Sequence, residues 1–522
     1  MVRKRFAILL ALLLFAAGCA SPSVSPDATE DATSSGPPPT PEPSPPPSHS
    51  PSPPVPLRET PAYTVVLPDG LPERPVVGKD EVGSRYYGET TLALQPRPDY
   101  GRLYPFVGAV GGDGWGNFKF YLGLCTEEGQ IVVDPVYTNV DIVEKDGKMM
   151  YILQRSIDHY RKETTFAALD GSWAVTYQDS DFQRAGYVYS LLNGSLSPEY
   201  ISVYNGEGWG AIDYTGKLVY PCRERFPVQF SEGLAVVWGE DGERYSYVNI
   251  KGQTVIGSFE SPEPMKKYEE PWRFYHQNLY FSQGLARFQK DGLWGYTDKT
   301  GTVIIAPRHP QGASEFYGDY AIIFWDSSTA IDREGNVLAN SSSIMPLDET
   351  LFWVYDWDSK GRNTTLMNSD GEVVPMSITP SARLENGWWL EPYGSNSSRL
   401  EKDGEVIELP YQISYGLPED RFTFYTYVDH MNLWGVVDKA GNVLIEGKEG
   451  YAQLQPSGRI RTYYGNLQGL WDADLTPLLP LRYQHIAEYG DYFAVQEGIY
   501  GGLVNKQGDW IVKRSLLDFM LD

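Results

Sequence analysis

Across 522 residues the chain has only three cysteines and six histidines, the side chains that most often hold metals or act as nucleophiles. Three thiols, Cys19, Cys125 and Cys222, are too few for a disulfide scaffold or a thiolate zinc site. With Cys19 set aside for the reason given below, Cys125 and Cys222 read either as an oxidised pair or as two separate small buried hydrophobes. The histidines are His49, His159, His276, His309, His430 and His485, and none stands at a zinc-binding spacing from another. Nucleophile elbow, phosphate loop and dinucleotide fingerprint are all missing. No catalytic residue, metal ligand or cofactor is therefore assigned. The acidic stretch Asp356-Trp357-Asp358-Ser359-Lys360-Gly361 reads as a turn, because Lys360 stands where a calcium loop needs an oxygen ligand.

Positive charge is also in short supply. Lys and Arg total 43 against 68 Asp and Glu, a net charge of -25. That balance excludes nucleic acid as a partner and excludes a basic patch adhering to anionic lipid, while it favours solubility outside the cell. Beyond the N-terminus no apolar run approaches the ~18 residues that a membrane-spanning helix needs.

The N-terminus itself carries an address. Arg3, Lys4 and Arg5 precede an apolar run from Phe6 to Ala17, the length of a signal-peptide core. The run ends Ala16-Ala17-Gly18-Cys19, which resembles the lipobox of bacterial lipoproteins, with Ala16 where Leu is commoner. The resemblance implies cleavage after residue 18 and diacylation of Cys19, and two acyl chains anchor stably where one does not. Residues 19–61 are rich in Pro, Ser and Thr and cannot form a core. At about 3.1 Å per residue in polyproline II, some 40 residues reach on the order of 120 Å. The expectation is a semi-rigid stalk that holds a folded head off the extracytoplasmic face of the membrane.

Aromatic residues make up 14% of the chain and glycine contributes 52 residues, a mixture that suits short strands joined by tight turns. Internal repetition is the strongest signal in the body of the sequence. Trp209-Gly210-Ala211-Ile212-Asp213-Tyr214-Thr215-Gly216, Trp294-Gly295-Tyr296-Thr297-Asp298-Lys299-Thr300-Gly301 and Trp434-Gly435-Val436-Val437-Asp438-Lys439-Ala440-Gly441 share one pattern. A fourth copy, Tyr500-Gly501-Gly502-Leu503-Val504-Asn505-Lys506-Gln507-Gly508, reads as having Tyr for Trp and one extra residue. Weaker copies keep only the turn: Thr126 to Gly129, Asn249 to Gly252, Asp332 to Gly335 and Asn368 to Gly371. Glu401-Lys402-Asp403-Gly404 is looser, and Trp471-Asp472 opens a copy that has lost its glycine.

Each residue type has a physical reason. The Asp or Asn side chain accepts a backbone hydrogen bond two residues on, and the closing glycine supplies a positive φ. Glycine beside tryptophan lets a neighbouring strand or ring approach. The tryptophan cements adjacent units. Phe230-Ser231-Glu232-Gly233-Leu234-Ala235 and Phe281-Ser282-Gln283-Gly284-Leu285-Ala286 open further strands. Tyr317-Gly318-Asp319-Tyr320 and Tyr489-Gly490-Asp491-Tyr492 are a variant of that opening.

These residues resemble the bacterial WG (KWG) repeat family, whose unit reads roughly Gly-Lys-Trp-Gly-Tyr-Ile-Asp-x-x-Gly-Lys-x-Val-Ile-x-Pro. The likeness covers most of residues 115–515 and is close at Trp209, Trp294 and Trp434. The family lysine is replaced by Gly208, Leu293 and Leu433, and the units between Trp353 and Asn396 have lost the Trp-Gly pair. The family is common in bacterial surface and secreted proteins, and its biochemical role is mostly unassigned.

The expected fold is all-β, a repeat array of three- to four-stranded antiparallel units. It forms a β-propeller, one large or two smaller, with a hairpin solenoid as the alternative. Residues 62–114 are expected as an N-terminal cap or first strands and 115–522 as the repeat domain. Three functions follow in order: a non-catalytic binding module for an envelope protein, glycan or cell-wall ligand; a propeller-based hydrolase with converging carboxylates; and a scaffold for an envelope complex. Recurrence of Trp209, Trp294 and Trp434 in register favours packing over ligand stacking for those three side chains.

Overall fold

The computed structural model describes residues 94–97, 100–112, 118–156, 162–179, 199–240, 242–262, 279–310, 312–324, 327–358, 361–393, 396–428 and 431–516. Cys19, the signal sequence and the stalk lie outside the described residues, as do His49, His159, His276 and His430. Every described element is a strand; no helix occurs among the described residues, and so none is long and apolar enough to cross a membrane.

The strands group into eleven consecutive units, each a meander of antiparallel neighbours. Unit 1 spans Leu103 to Tyr137, unit 2 Asn139 to Asp179, unit 3 Ile201 to Glu224 and unit 4 Phe230 to Glu260. Unit 5 spans Leu285 to His309, unit 6 Ala321 to Ser341, unit 7 Ser343 to Asn368 and unit 8 Ala382 to Leu409. Units 9, 10 and 11 run from Gln412 to Glu449, Tyr451 to Tyr483 and His485 to Ser515. The full unit has four strands, as in unit 11: His485–Tyr489, Tyr492–Glu497, Tyr500–Asn505 and Trp510–Ser515. Elsewhere a first or fourth strand shrinks to a single bridge, such as Ala313 with Ile323 or Met367 with Val373. Units 4 and 5 share one seven-stranded sheet through the pair Glu260 and Gln289.

Because the meander alternates direction, its turns segregate. The first-to-second and third-to-fourth turns lie at one end of every sheet, here the turn end. The second-to-third hairpin and the link to the next unit lie at the other, the hairpin end. Four links are a single residue: Thr138, Ser342, Gly450 and Gln484 each stand alone between two strands. A single linking residue leaves no slack, so units 2, 7, 10 and 11 must pack on their predecessors.

Apolar clusters fill those packing faces. Trp209, Ala211 and Tyr220 of unit 3 meet Phe230, Ala235 and Val248 of unit 4. Trp434 and Val436 of unit 9 meet Ala452 and Ile460 of unit 10. The same joint recurs between the two ends of the array. Leu103, Phe106 and Val107 of unit 1 share a core with Tyr489, Ala494, Leu503 and Val512 of unit 11. Across that seam Tyr104 lies 4.1 Å from Tyr492 by ring centroid, Phe120 stacks on His485 at 4.2 Å, and Arg514 reaches Asp134 at 3.6 Å. The array therefore closes once, as one ring. The closure uses side-chain packing, with no strand of unit 1 hydrogen-bonded into the sheet of unit 11 among the described residues.

Candidate functional site

The acid at each turn is fully engaged. In seven units the Oδ1 of Asp or Asn accepts backbone N–H groups from both the second and the fourth residue onward. Asp213 takes Thr215 at 2.8 Å and Lys217 at 3.1 Å; Asp298 takes Thr300 at 2.8 Å and Thr302 at 2.9 Å. Asp438 takes Ala440 and Asn442, both at 2.9 Å, and Asn505 takes Gln507 at 3.0 Å and Asp509 at 2.9 Å. Asn249, Asp332 and Asn368 do the same. In each of these turns the closing glycine N–H returns to the Asp or Asn carbonyl, as Gly216, Gly301, Gly441 and Gly508 do at 2.9 to 3.0 Å. A hydroxyl from Thr300 and an amide from Asn442 hold the carboxyls of Asp298 and Asp438 below their ordinary range.

The Trp-Gly pair divides its labour. Trp209, Trp294 and Trp434 are buried between units. The glycines face the fourth strand of their own unit, where the register slips. Trp294 pairs with His309 but Tyr296 with Ile305, so the fourth strand bulges around Pro307. A Cβ on Gly295 would lie 2.5 Å from the Ile305 carbonyl, and one on Gly210 2.6 Å from that of Tyr220. Gly435 meets the Ile445 carbonyl at 2.5 Å in the same way. In units 3, 5 and 9 the bulge opposite the glycine marks the unit as much as the tryptophan does.

Pairing register corrects the fourth copy. Asn505 pairs with Tyr492 as Asp438 pairs with Arg421, so Gly502 stands at the Gly435 position and Gly501, not Tyr500, at the Trp434 position. No residue is inserted. The cause is the seam: a Cβ on Gly501 would lie 2.6 Å from the Val107 carbonyl of unit 1, which leaves no room for a tryptophan. Tyr500 occupies the preceding position and is 39% exposed, while Trp434 is 2% exposed.

Other copies sort themselves similarly. Asp403 and Gly404 form a two-residue hairpin with φ of 51° and 82° between Lys402 and Glu405, a shorter loop than the repeat turn. Leu475 takes the closing glycine's place at φ 70° and keeps the hydrogen bond to Asp472. One copy escaped the sequence reading altogether, Ala168-Leu169-Asp170-Gly171 in unit 2, whose glycine N–H bonds Ala168 at 3.0 Å. Glycines at 123 and 469 also face the fourth strand, without tryptophan beside them to mark them.

Carboxylates also join neighbouring units along the turn end. Gly233 N–H donates to Glu199, and Gly284 N–H to Glu232 of the preceding unit at 3.0 Å. Lys299 joins Glu232 at 2.8 Å. Gly416 donates to Glu385 at 3.0 Å. Carboxylates at this end tie turns together.

Among the described residues no group of three His, Cys, Asp or Glu side chains is placed to hold a metal. Cys125 in unit 1 and Cys222 in unit 3 are free thiols. Burial pushes Cys125 up to about 12 and raises Cys222 as well, so neither is a ready nucleophile. Burial raises the carboxyl of Asp141 against a 2.6 Å hydrogen bond from Asn139. Asp356, within the acidic stretch of the sequence, accepts a hydroxyl from Ser341 at 2.6 Å.

Comparison with known proteins agrees on the repeat. The chain carries a WG repeat: the family model described as "WG containing repeat" matches residues 279–294. No curated protein matches the chain. Solved structures with similar regions include Hsv2 of Kluyveromyces lactis, at 10% identity over 57% of this chain and 97% of that one with a TM-score of 0.24. AztD of Citrobacter koseri shares 10% identity over 72% of this chain and 93% of that one, TM-score 0.23. TolB of Acinetobacter baumannii shares 10% over 46% and 76%, TM-score 0.20. Similarity at this level bears on neither ligand nor activity.

Proposed function

We propose that the chain is a lipid-anchored extracytoplasmic binding protein whose closed ring of repeats acts without catalysis. Diacylation at Cys19 and the stalk of residues 19–61 would present the ring to the envelope. The observation that carries the reading is the use made of the repeat's polar groups. Asp213, Asp298, Asp332 and Asp438 each cap their own turn through two backbone N–H groups. A hydrolase needs carboxylates that converge on a substrate instead. A ring of similar units also offers a repeated, wide contact surface, which suits recognition of a partner with its own repetition.

The test is saturable binding of the full-length protein, purified in detergent, to isolated envelope material separated into protein, glycan and wall fractions. Binding to one fraction with a plateau is expected. Failure to bind any of them removes the proposal.

A further inference from the structure

Exposed apolar side chains are sorted by type between the two ends of the ring, with Met431 the exception at the hairpin end. At the turn end they are aliphatic and sit mostly at the start of fourth strands, as with Leu218, Val303, Ile304, Val337 and Val443. All six exposed aromatic residues among those described lie at the hairpin end: Phe324, Tyr393, Tyr427, Tyr451, Tyr464 and Tyr500. Four of them occupy the second-to-third hairpins of four successive units, 8 to 11. Tyr393 is 48% exposed, Tyr427 61%, Tyr464 40% and Tyr500 39%, with Arg399 over one face of Tyr393 at 5.1 Å and Lys513 over one face of Tyr500 at 4.3 Å. Isolated surface aromatics need no explanation, but one per unit at the same hairpin through a third of the ring does.

The surrounding groups narrow the partner. Exposed amides stand in the same hairpins: Asn396 beside Tyr393, Asn432 paired across from Tyr427, and Asn466 two residues from Tyr464. Tyr451 lies on the ring of Tyr463 at 4.6 Å and 10°, which fixes a flat face at the start of unit 10. The carboxylates Glu391 and Glu497 at this end are paired to Arg399 and Arg482, at 3.3 and 3.2 Å. Tyrosine offers a rigid face with a polar tip, and amides both donate and accept. Sugar rings present apolar C–H faces rimmed by hydroxyls, the complement of that set. With a net charge of -25 the protein repels polyanions, and the pairing of Glu391 and Glu497 takes up carboxylates that a polycation would use beside Tyr393 and Tyr500, so the polymer these hairpins fit is uncharged.

We infer that the hairpin end of units 8 to 11 is a binding surface for a neutral polysaccharide, with Tyr393, Tyr427, Tyr464 and Tyr500 as successive stacking platforms. This rests on the binding reading above and names its ligand class. A polymer of hexose units meets several platforms at once, so modest single contacts add up.

The test is affinity electrophoresis of the full-length protein in detergent through gels containing dextran, galactomannan or soluble β-glucan, with polygalacturonate as the charged counterpart. Retardation by at least one neutral polymer is expected. Tyr427→Ala and Tyr464→Ala should each weaken it by about three- to tenfold, which corresponds to the loss of one aromatic contact. Tyr464→Trp should retain it. Both side chains are exposed, so an unchanged melting curve is expected for the variants. The inference fails if no neutral polymer retards the protein, if only polygalacturonate does, or if the alanine variants migrate like wild type. Envelope binding that survives joint replacement of all four tyrosines would overturn the glycan surface and leave the binding role standing; no envelope binding by wild type removes both.

Discussion

A side chain in this protein is best judged by what it does for backbone amides. The Asx turn at Asp213 satisfies two N–H groups that a hairpin loop otherwise leaves to water, and adds the Thr215 hydroxyl at 2.6 Å. Asp213→Ala should cost about 1–2 kcal/mol in urea unfolding, and Asp213→Asn much less, since Asn249 performs the same role one unit later. A buried ion pair is the sharper case. Arg155 and Glu163, each 1% exposed, meet at 2.7 Å inside unit 2. Glu163→Ala strands a buried guanidinium, and a loss of about 3–5 kcal/mol is expected from the same measurement. Replacing both partners with matched apolar residues should recover most of it.

Within a unit the decisive element is the bulged fourth strand. Except in unit 4, where it pairs with unit 5 at Glu260 and Gln289, it is the outermost strand of its sheet, and its unpaired edge would invite pairing with another chain. Pro135, Pro221, Pro307 and Pro480 sit in these strands, where proline removes a donor and bends the edge. In unit 5 the bulged strand brings the Ile305 carbonyl so close that Gly295 has no room for a Cβ, whereas unit 4 carries Ser246 opposite its own, smaller bulge. Gly295→Ala should therefore destabilise by about 1–3 kcal/mol through overpacking. Gly257, in the fourth strand of unit 4, has no atom within 4 Å of a built Cβ. Gly257→Ala is expected within about 0.5 kcal/mol of wild type. Equal costs for the two substitutions, read from parallel denaturation curves, would refute the bulge argument.

At the scale of the whole molecule, stability depends on the seam. Each unit leaves an apolar face that only a neighbour can cover, so an open array would expose two of them. Unit 1 and unit 11 cover each other, and Gly501 is what lets Val107 approach. Gly501→Trp restores the repeat's usual residue yet should open the ring, seen as a lower melting temperature and new binding of a hydrophobic dye. The seam also senses acid. His485, stacked on Phe120, has its pKa lowered to about 4 by burial and, to a lesser degree, by Arg461. Unfolded, it titrates near 6.5. Between those values the unfolded chain binds a proton that the native ring does not, so this contribution to stability falls as pH drops from 6.5 toward 4. His485→Phe should lose less stability than wild type across that window, measured by urea unfolding at pH 7 and pH 5.

Much of this was already written in the chain, because its cause is local. An Asp or Asn at the end of an apolar strand run, with a glycine three residues on, specifies its turn through bonds to its own near neighbours, and recurrence of that turn together with the aromatic and glycine content pointed to the all-β class and its units. Trp294 and Trp434, recurring beside glycine, pointed to packing between units for the same reason. What the sequence could not contain was any fact that depends on two distant segments meeting. Whether the array closes once or twice is decided by residues some 400 apart in the chain, such as Tyr104 and Tyr492. Gly501 at the tryptophan position was misread as an offset Tyr500, since the carbonyl that forbids a larger residue belongs to unit 1. The tyrosines of units 8 to 11 have no common flanking motif, and only strand register puts them in equivalent hairpins at one end of the ring. Short-range hydrogen bonding sets the turns and can be read residue by residue; closure and surface arise from contacts that form only when the whole ring is built.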